Sequence, residues 1–133
     1  MGTLIDSSVF IALERRTRPV RDILAEQLEE NFFISAITAS ELLHGVHRAA
    51  TTEQRVGREA FVERLLSKIP VIPFDLVVAR SHARLWAELA AQGVAVGQHD
   101  LIIAATALTY GHKVATFDQR SFPKIPGLQL KTW

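Results

Sequence analysis

Apolar residues in this chain switch repeatedly between the two-residue spacing of strands and the three- and four-residue spacing of helices, which points to an α/β fold. Residues 3–6 read as a buried strand running straight into a helix over 7–14. Pro19 suits the first turn of a helix over 20–29, with Ile23, Leu24 and Leu28 on one face, and residues 32–35 form a second short strand before a helix over 37–49. Thr51-Thr52-Glu53 is a capping sequence for a helix ending near Lys68, in which Val56, Ala60, Phe61, Leu65 and Ile69 recur at helical spacing. Pro70 and Pro73 confine residues 71–72 to a brief strand. Asp75 then caps a helix to about residue 91, with Val78, Leu85, Trp86 and Leu89 expected inward. After a loop over 93–97, residues 100–110 are so apolar that their helix should be central, and Gly111 stops it. Strands over 114–116 and, at an edge, 128–130 complete the pattern. Strands alternating with helices imply a mostly parallel sheet, whose sites lie at the carboxyl ends of its strands.

At 133 residues, 48% hydrophobic and 22% charged, the chain has the size and balance of one domain, 1–133, with a substantial core. No apolar run approaches the roughly 20 residues of a membrane span, and the start lacks the layout of a secretion signal, so a cytoplasmic protein with no membrane partner is expected. The absence of cysteine excludes disulfides, thiolate zinc sites and cysteine nucleophiles. A net charge of +1 is too small to predict nucleic-acid binding from the total. The distribution says more: Arg15, Arg16, Arg18 and Arg21 form a cluster that could meet phosphates, or could be a solvated helix start.

Four acids carry the chemical signal. Asp6 ends the first strand, Glu41 shares a helical stripe with Ile37 and Gly45, Asp100 opens the apolar helix, and Asp118 follows the strand at 114–116. Each has a bland reading. Asp6 and Asp118 could cap the turns that follow them, Glu41 could pair with an arginine, and Asp100 resembles Asp75 as a helix-opening acid. Taken together they suggest one pocket, and carboxylates brought together raise one another's pKa and destabilise the fold unless cations bind between them. Such a metal would be held by oxygen or imidazole, and phosphodiester hydrolysis is the chemistry it suggests. His44 and His47 could share a helix face for zinc, but no third ligand stands at a telling distance. Phosphate-loop, dinucleotide and serine-hydrolase motifs are all missing.

The segments Leu4-Ile5-Asp6-Ser7-Ser8-Val9-Phe10-Ile11, Thr38-Ala39-Ser40-Glu41-Leu42-Leu43-His44-Gly45, Gly97-Gln98-His99-Asp100-Leu101-Ile102-Ile103-Ala104-Ala105-Thr106-Ala107 and Thr116-Phe117-Asp118-Gln119-Arg120-Ser121-Phe122 resemble the four motifs of the PIN-domain ribonucleases, within them the VapC toxins of toxin-antitoxin pairs. The resemblance spans the chain and implies a PIN-like three-layer fold, a mostly parallel central sheet flanked by helices. It further implies a metal-dependent endoribonuclease, usually a homodimer, inhibited by a cognate antitoxin protein. By that resemblance Asp6, Glu41, Asp100 and Asp118 would hold one or two Mg²⁺ or Mn²⁺ ions as catalytic metal ligands. Ser7, Ser8 and Thr116 would offer hydroxyls to a water or phosphate, and Arg15 and Arg16 would help hold RNA. Two alternatives stand beside it: a metal-dependent phosphatase or phosphotransferase with Asp6 as nucleophile, and a non-catalytic RNA- or partner-binding module.

Overall fold

A computed structural model describes residues 1–14 and 31–131. The expected helix over 20–29 and the cluster Arg15, Arg16, Arg18 and Arg21 lie outside the described residues. The elements run β1 (Thr3–Ile5), α1 (Ser7–Glu14), β2 (Phe32–Ser35), α2 (Ala36–His47), α3 (Thr52–Lys68), β3 (Val71–Ile72), α4 (Leu76–Ala91), α5 (Gln98–Tyr110), β4 (Lys113–Ala115), a single 3-10 turn (Phe122–Lys124) and β5 (Leu130–Lys131). The strands form one sheet in the order β3-β2-β1-β4-β5, and all four pairings are parallel. Leu4 is opposite Phe33 on one side and Val114 on the other, so β1 is central.

Side chains alternate across a strand, and here that alternation divides the core in two. Ile5 and Ala115 face a cluster with Phe10, Leu42, Val46 and Leu65, which belongs to α1, α2 and α3. Leu4 and Val114 face the opposite way, into Leu85, Leu89 and Ile103 of α4 and α5. A sheet buried on both faces between helices is the three-layer arrangement the family resemblance implied.

Local chemistry explains where the helices begin and end. Ser35, Thr51 and Asp75 accept bonds from the backbone N–H groups of Thr38, Gln54 and Val78, each at 3.1 Å, satisfying donors that a helix start leaves unpaired. Gly111 closes α5 with φ +69°, a left-handed value that favours glycine, and His112 N–H then reaches back to the Ala107 carbonyl at 2.9 Å. The helix expected over 37–49 ends instead at His47, and the last strand falls at Leu130–Lys131 rather than 128–130.

One expected core assignment fails: Trp86 is 60% exposed. Val56 and Ala60, at helical spacing in α3, are exposed as well. In α3 the buried residues are Val62 and Leu65, so its first half stands clear of the core. Trp86 lies instead on a solvent-facing row with His82 and Phe74, the ring centroids 5.6 Å apart at each step.

Candidate active site

In a parallel sheet whose order reverses, the crevice forms beyond the carboxyl ends of the strands at the point of reversal. Here β1 has β2 on one side and β4 on the other, and the residues leaving β1 and β4 are Asp6 and Thr116. Backbone pairing continues one step past the strand, Asp6 N–H donating to Ala115 O at 2.9 Å, which fixes the two exits side by side. Asp6 is 5% exposed. Its Oδ2 accepts from Ser8 Oγ at 2.8 Å and from Thr116 Oγ1 at 2.9 Å. Ser8 Oγ in turn accepts from Phe117 N–H at 3.0 Å, and Thr116 Oγ1 from Asp118 N–H at 2.9 Å. The two hydroxyls therefore lock the Asp6 carboxylate to the backbone that carries Asp118. Ser7, the first residue of α1, is half-buried beside Asp6, and the network passes through Ser8.

Glu41 comes from the middle of α2. Burial, and then the charge of Asp6, push its carboxyl above the ordinary carboxylate range, while a bond from His99 opposes the rise. His99 Nδ1 lies 3.5 Å from Glu41 Oε2. The partner considered from sequence was an arginine; the structure supplies a histidine from the first turn of α5. The other oxygen, Glu41 Oε1, is buried with no hydrogen-bond partner.

Asp100 lies in the first turn of α5, a helix whose N-cap is Gly97 with no side-chain cap bond. A carboxylate there ordinarily gains from the helix dipole. Burial outweighs that gain and raises its pKa, the nearby charges of Asp6 and Asp118 add to the rise, and a bond from Ser121 opposes it. Asp118 is held below the usual range by Arg120, whose backbone N–H donates to Oδ1 at 2.9 Å and whose Nε does so at 3.2 Å. Asp118 thus does cap its own turn, as the bland reading had it, while its charge is also felt at Asp100.

All four acids are therefore linked by mutual electrostatics, and Asp75 is not among them, being spent on capping α4. Among the described residues no three of the His, Asp and Glu side chains close into a ready-made metal cage. Each carboxylate is turned toward a donor of its own: hydroxyls for Asp6, His99 for Glu41, Ser121 for Asp100 and Arg120 for Asp118. The set nevertheless suits a hard divalent cation, since every candidate donor atom is an oxygen and Glu41 Oε1 is buried without a proton to accept. The histidines offer no rival site. His44 and His47 are both exposed, and His47 Nδ1 faces Arg55 Nη2 at 3.2 Å. His112 accepts from Gly2 N–H at 3.0 Å and stacks on Phe33.

His99, Arg120 and Ser121 are the neighbours that sequence reading did not assign to these acids. Each immediately adjoins or closely follows an assigned acid, which is the signal that could have found them. A model of the PIN domain matches residues 3–128. The chain is 35% identical over 134 residues to Ribonuclease VapC1 of Rickettsia felis, an alignment covering 99% of this chain and 96% of that protein. The crystal structure of DNA-bound VapBC from Salmonella typhimurium matches 100% of this chain and 98% of that one, with a TM-score of 0.88 at 28% identity. VapBC-5 of Mycobacterium tuberculosis, a member of the VapBC family of toxin-antitoxin systems, matches with a TM-score of 0.75 at 30% identity, covering 98% and 96%.

Proposed function

Since the chain belongs to the PIN domain family, we propose that it is an endoribonuclease that hydrolyses RNA phosphodiester bonds, the toxin of a pair whose cognate antitoxin inhibits it. The observation that carries this reading is the electrostatic coupling of four acids at one end of the sheet, two of them held above the ordinary carboxylate range. The ribonuclease name of the similar Rickettsia protein and the toxin-antitoxin assignment of the similar Mycobacterium structure support the substrate class and the partner.

In this reading Asp6, Glu41, Asp100 and Asp118 hold Mg²⁺ or Mn²⁺. When bound, the metal supplies an acidified water as nucleophile and neutralises charge at the scissile phosphate. The residues of the chain do the positioning. Ser8 and Thr116 fix the rotamer of Asp6 through Oδ2, leaving Oδ1 outside that pair of bonds. Glu41 brings a buried acceptor that no donor among the described residues satisfies. His99 restrains its other oxygen from the rim of the site. Arg15 and Arg16 are assigned to RNA phosphates, as the sequence suggests. A covalent phosphatase with Asp6 as nucleophile has less support, because Ser8 occupies the position where that chemistry needs a second acid and spends its hydroxyl on Asp6.

We also propose that two copies pair, because α4 and the loop before it expose Phe74, Leu76, Val77 and Trp86 together. Among the described residues no helix is long and apolar enough to cross a membrane. The test of function is cleavage of whole-cell RNA by the purified protein with Mg²⁺ or Mn²⁺ and with a chelator. Cleavage should require metal and vanish in Asp6→Asn with the fold retained. Undiminished cleavage by Asp6→Asn would reject the reading.

A further inference from the structure

A groove of about 540 Å³ opens between α1, α2 and α3, and Glu41 is part of its lining. Ile11, Leu42 and Val62 give it apolar walls, and its cations are Arg48 and Arg58. Gly45 also lines it, in the middle of α2, where glycine weakens a helix relative to alanine. Neither usual reason for a glycine applies. Its φ is not positive, and a Cβ built on it would meet no heavy atom of the described residues within 4 Å. Among the described residues nothing packs where the side chain would be, and the groove gains an open floor.

The same position ties down a cation. Arg58 Nη1 donates to the Gly45 carbonyl at 3.1 Å, so its guanidinium is held at the level of Gly45. Gly45 is four residues beyond Glu41, which at the rise of an α-helix is ~6 Å, and Arg48 is three residues further, ~10 Å from Glu41. Cationic residues anchored at successive helical steps from Glu41 suit a phosphate backbone leaving the reaction centre. The competing acid is weak: Glu14 Oε1 lies 3.9 Å from Arg58 Nε, and both side chains are more than a third exposed. A phosphate can displace it with shorter, charge-assisted bonds.

We propose that this groove carries single-stranded RNA on one side of the scissile phosphate, Arg58 taking the first phosphate beyond the carboxylates and Arg48 the next, with Gly45 leaving room for the strand between them. The inference rests on the ribonuclease reading and adds to it the path of the substrate. Binding of a short fluorescein-labelled single-stranded RNA, measured by anisotropy in chelator at several salt concentrations, tests it directly. Arg58→Gln and Arg48→Gln should each make the plot of log affinity against log salt shallower by about 0.7. Arg58→Lys should restore the slope, separating charge from the structural bond to Gly45. Gly45→Ala should raise the melting temperature yet bind RNA several-fold more weakly, a combination that no folding defect produces. Wild-type affinity and slope in both glutamine variants, or wild-type affinity in Gly45→Ala, would overturn the proposal. Retained RNA binding together with loss of inhibition by the antitoxin would overturn it too, and assign the groove to the partner protein. Failure of the ribonuclease reading looks different: the wild-type protein would not cut RNA, while the binding effects of these variants would remain.

Discussion

Two helix starts look alike in the sequence and do opposite things in the structure. Asp75 and Asp100 each precede a leucine-led apolar run. Asp75 stands at the N-cap of α4 and accepts from Val78 N–H at 3.1 Å, so its carboxylate is used by its own backbone. Asp100 is three residues inside its cap, Gly97, and feels Ser121 of another segment together with the charges of Asp6 and Asp118. The helices differ accordingly. The start of α4 exposes Leu76 and Val77, whereas α5 buries Leu101 and every residue from Ile103 to Ala107. An acid that a helix does not need, at the start of a helix the core covers, is available for chemistry.

The largest effect should come from exchanging the two acids one at a time. Asp100→Asn should lower RNA cleavage by more than on the order of 10²-fold, since losing even an outer-sphere partner of a metal typically costs 10–100-fold. Asp75→Asn should leave cleavage intact, asparagine being an equally good cap. Equal losses from both would break the comparison, and circular dichroism on each variant guards against misfolding as the cause.

The exposed start of α4 supplies the second test. If Phe74, Leu76, Val77 and Trp86 are covered by a second copy, sedimentation should find a dimer at micromolar concentration, and Trp86→Lys should shift it to monomer while the fold persists. A wild-type monomer would leave this face without the cover proposed for it. Smaller again is the cap itself: Asp75→Ala should cost about 1 kcal/mol of stability in urea or thermal unfolding, with cleavage retained.

How much of this was legible in the sequence follows from what periodicity can carry. Caps are local, so Thr51, Asp75 and Gly111 marked element ends that the structure reproduces. Strand exits are local too, and Asp6 and Asp118 fall at or just beyond the ends of two parallel strands as the alternation implied, though that these strands are neighbours was not legible. A helical period shows which residues share a face but not whether that face is covered, which is why Trp86 was misplaced. Partners across the fold are not local at all. The pairing of Glu41 with His99 depends on how α2 meets α5, and the bond from Ser121 to Asp100 depends on the turn after β4, neither of which any window of sequence contains.

The smallest expected effect is on stability against pH, and it tests the site end of the comparison without requiring catalysis. Glu41 and Asp100 have folded-state pKa values above the ordinary carboxylate range, burial being the larger cause in each. A carboxyl raised in this way keeps its proton longer when folded than when unfolded. The folded state then binds more protons across the window between the two values, so stability is greatest below the ordinary carboxylate pKa of about 4 and declines as pH rises through the raised value. Asp118 works in the opposite sense, because Arg120 depresses its pKa: its contribution is present above the unfolded value and is lost as pH falls through the folded one. The Arg120 side chain is 90% exposed, so solvent screens that pair and the raised acids should set the sign. In metal-free buffer the melting temperature of the wild-type protein should therefore fall from mildly acidic pH toward neutrality more than that of Glu41→Gln/Asp100→Asn. Saturating Mg²⁺ should remove the difference in the wild-type protein, since ligation favours the ionised carboxylates, and should leave the double variant unmoved. Parallel pH profiles for the two proteins in chelator would show that burial and neighbouring charge do not raise these two carboxyls in the folded protein.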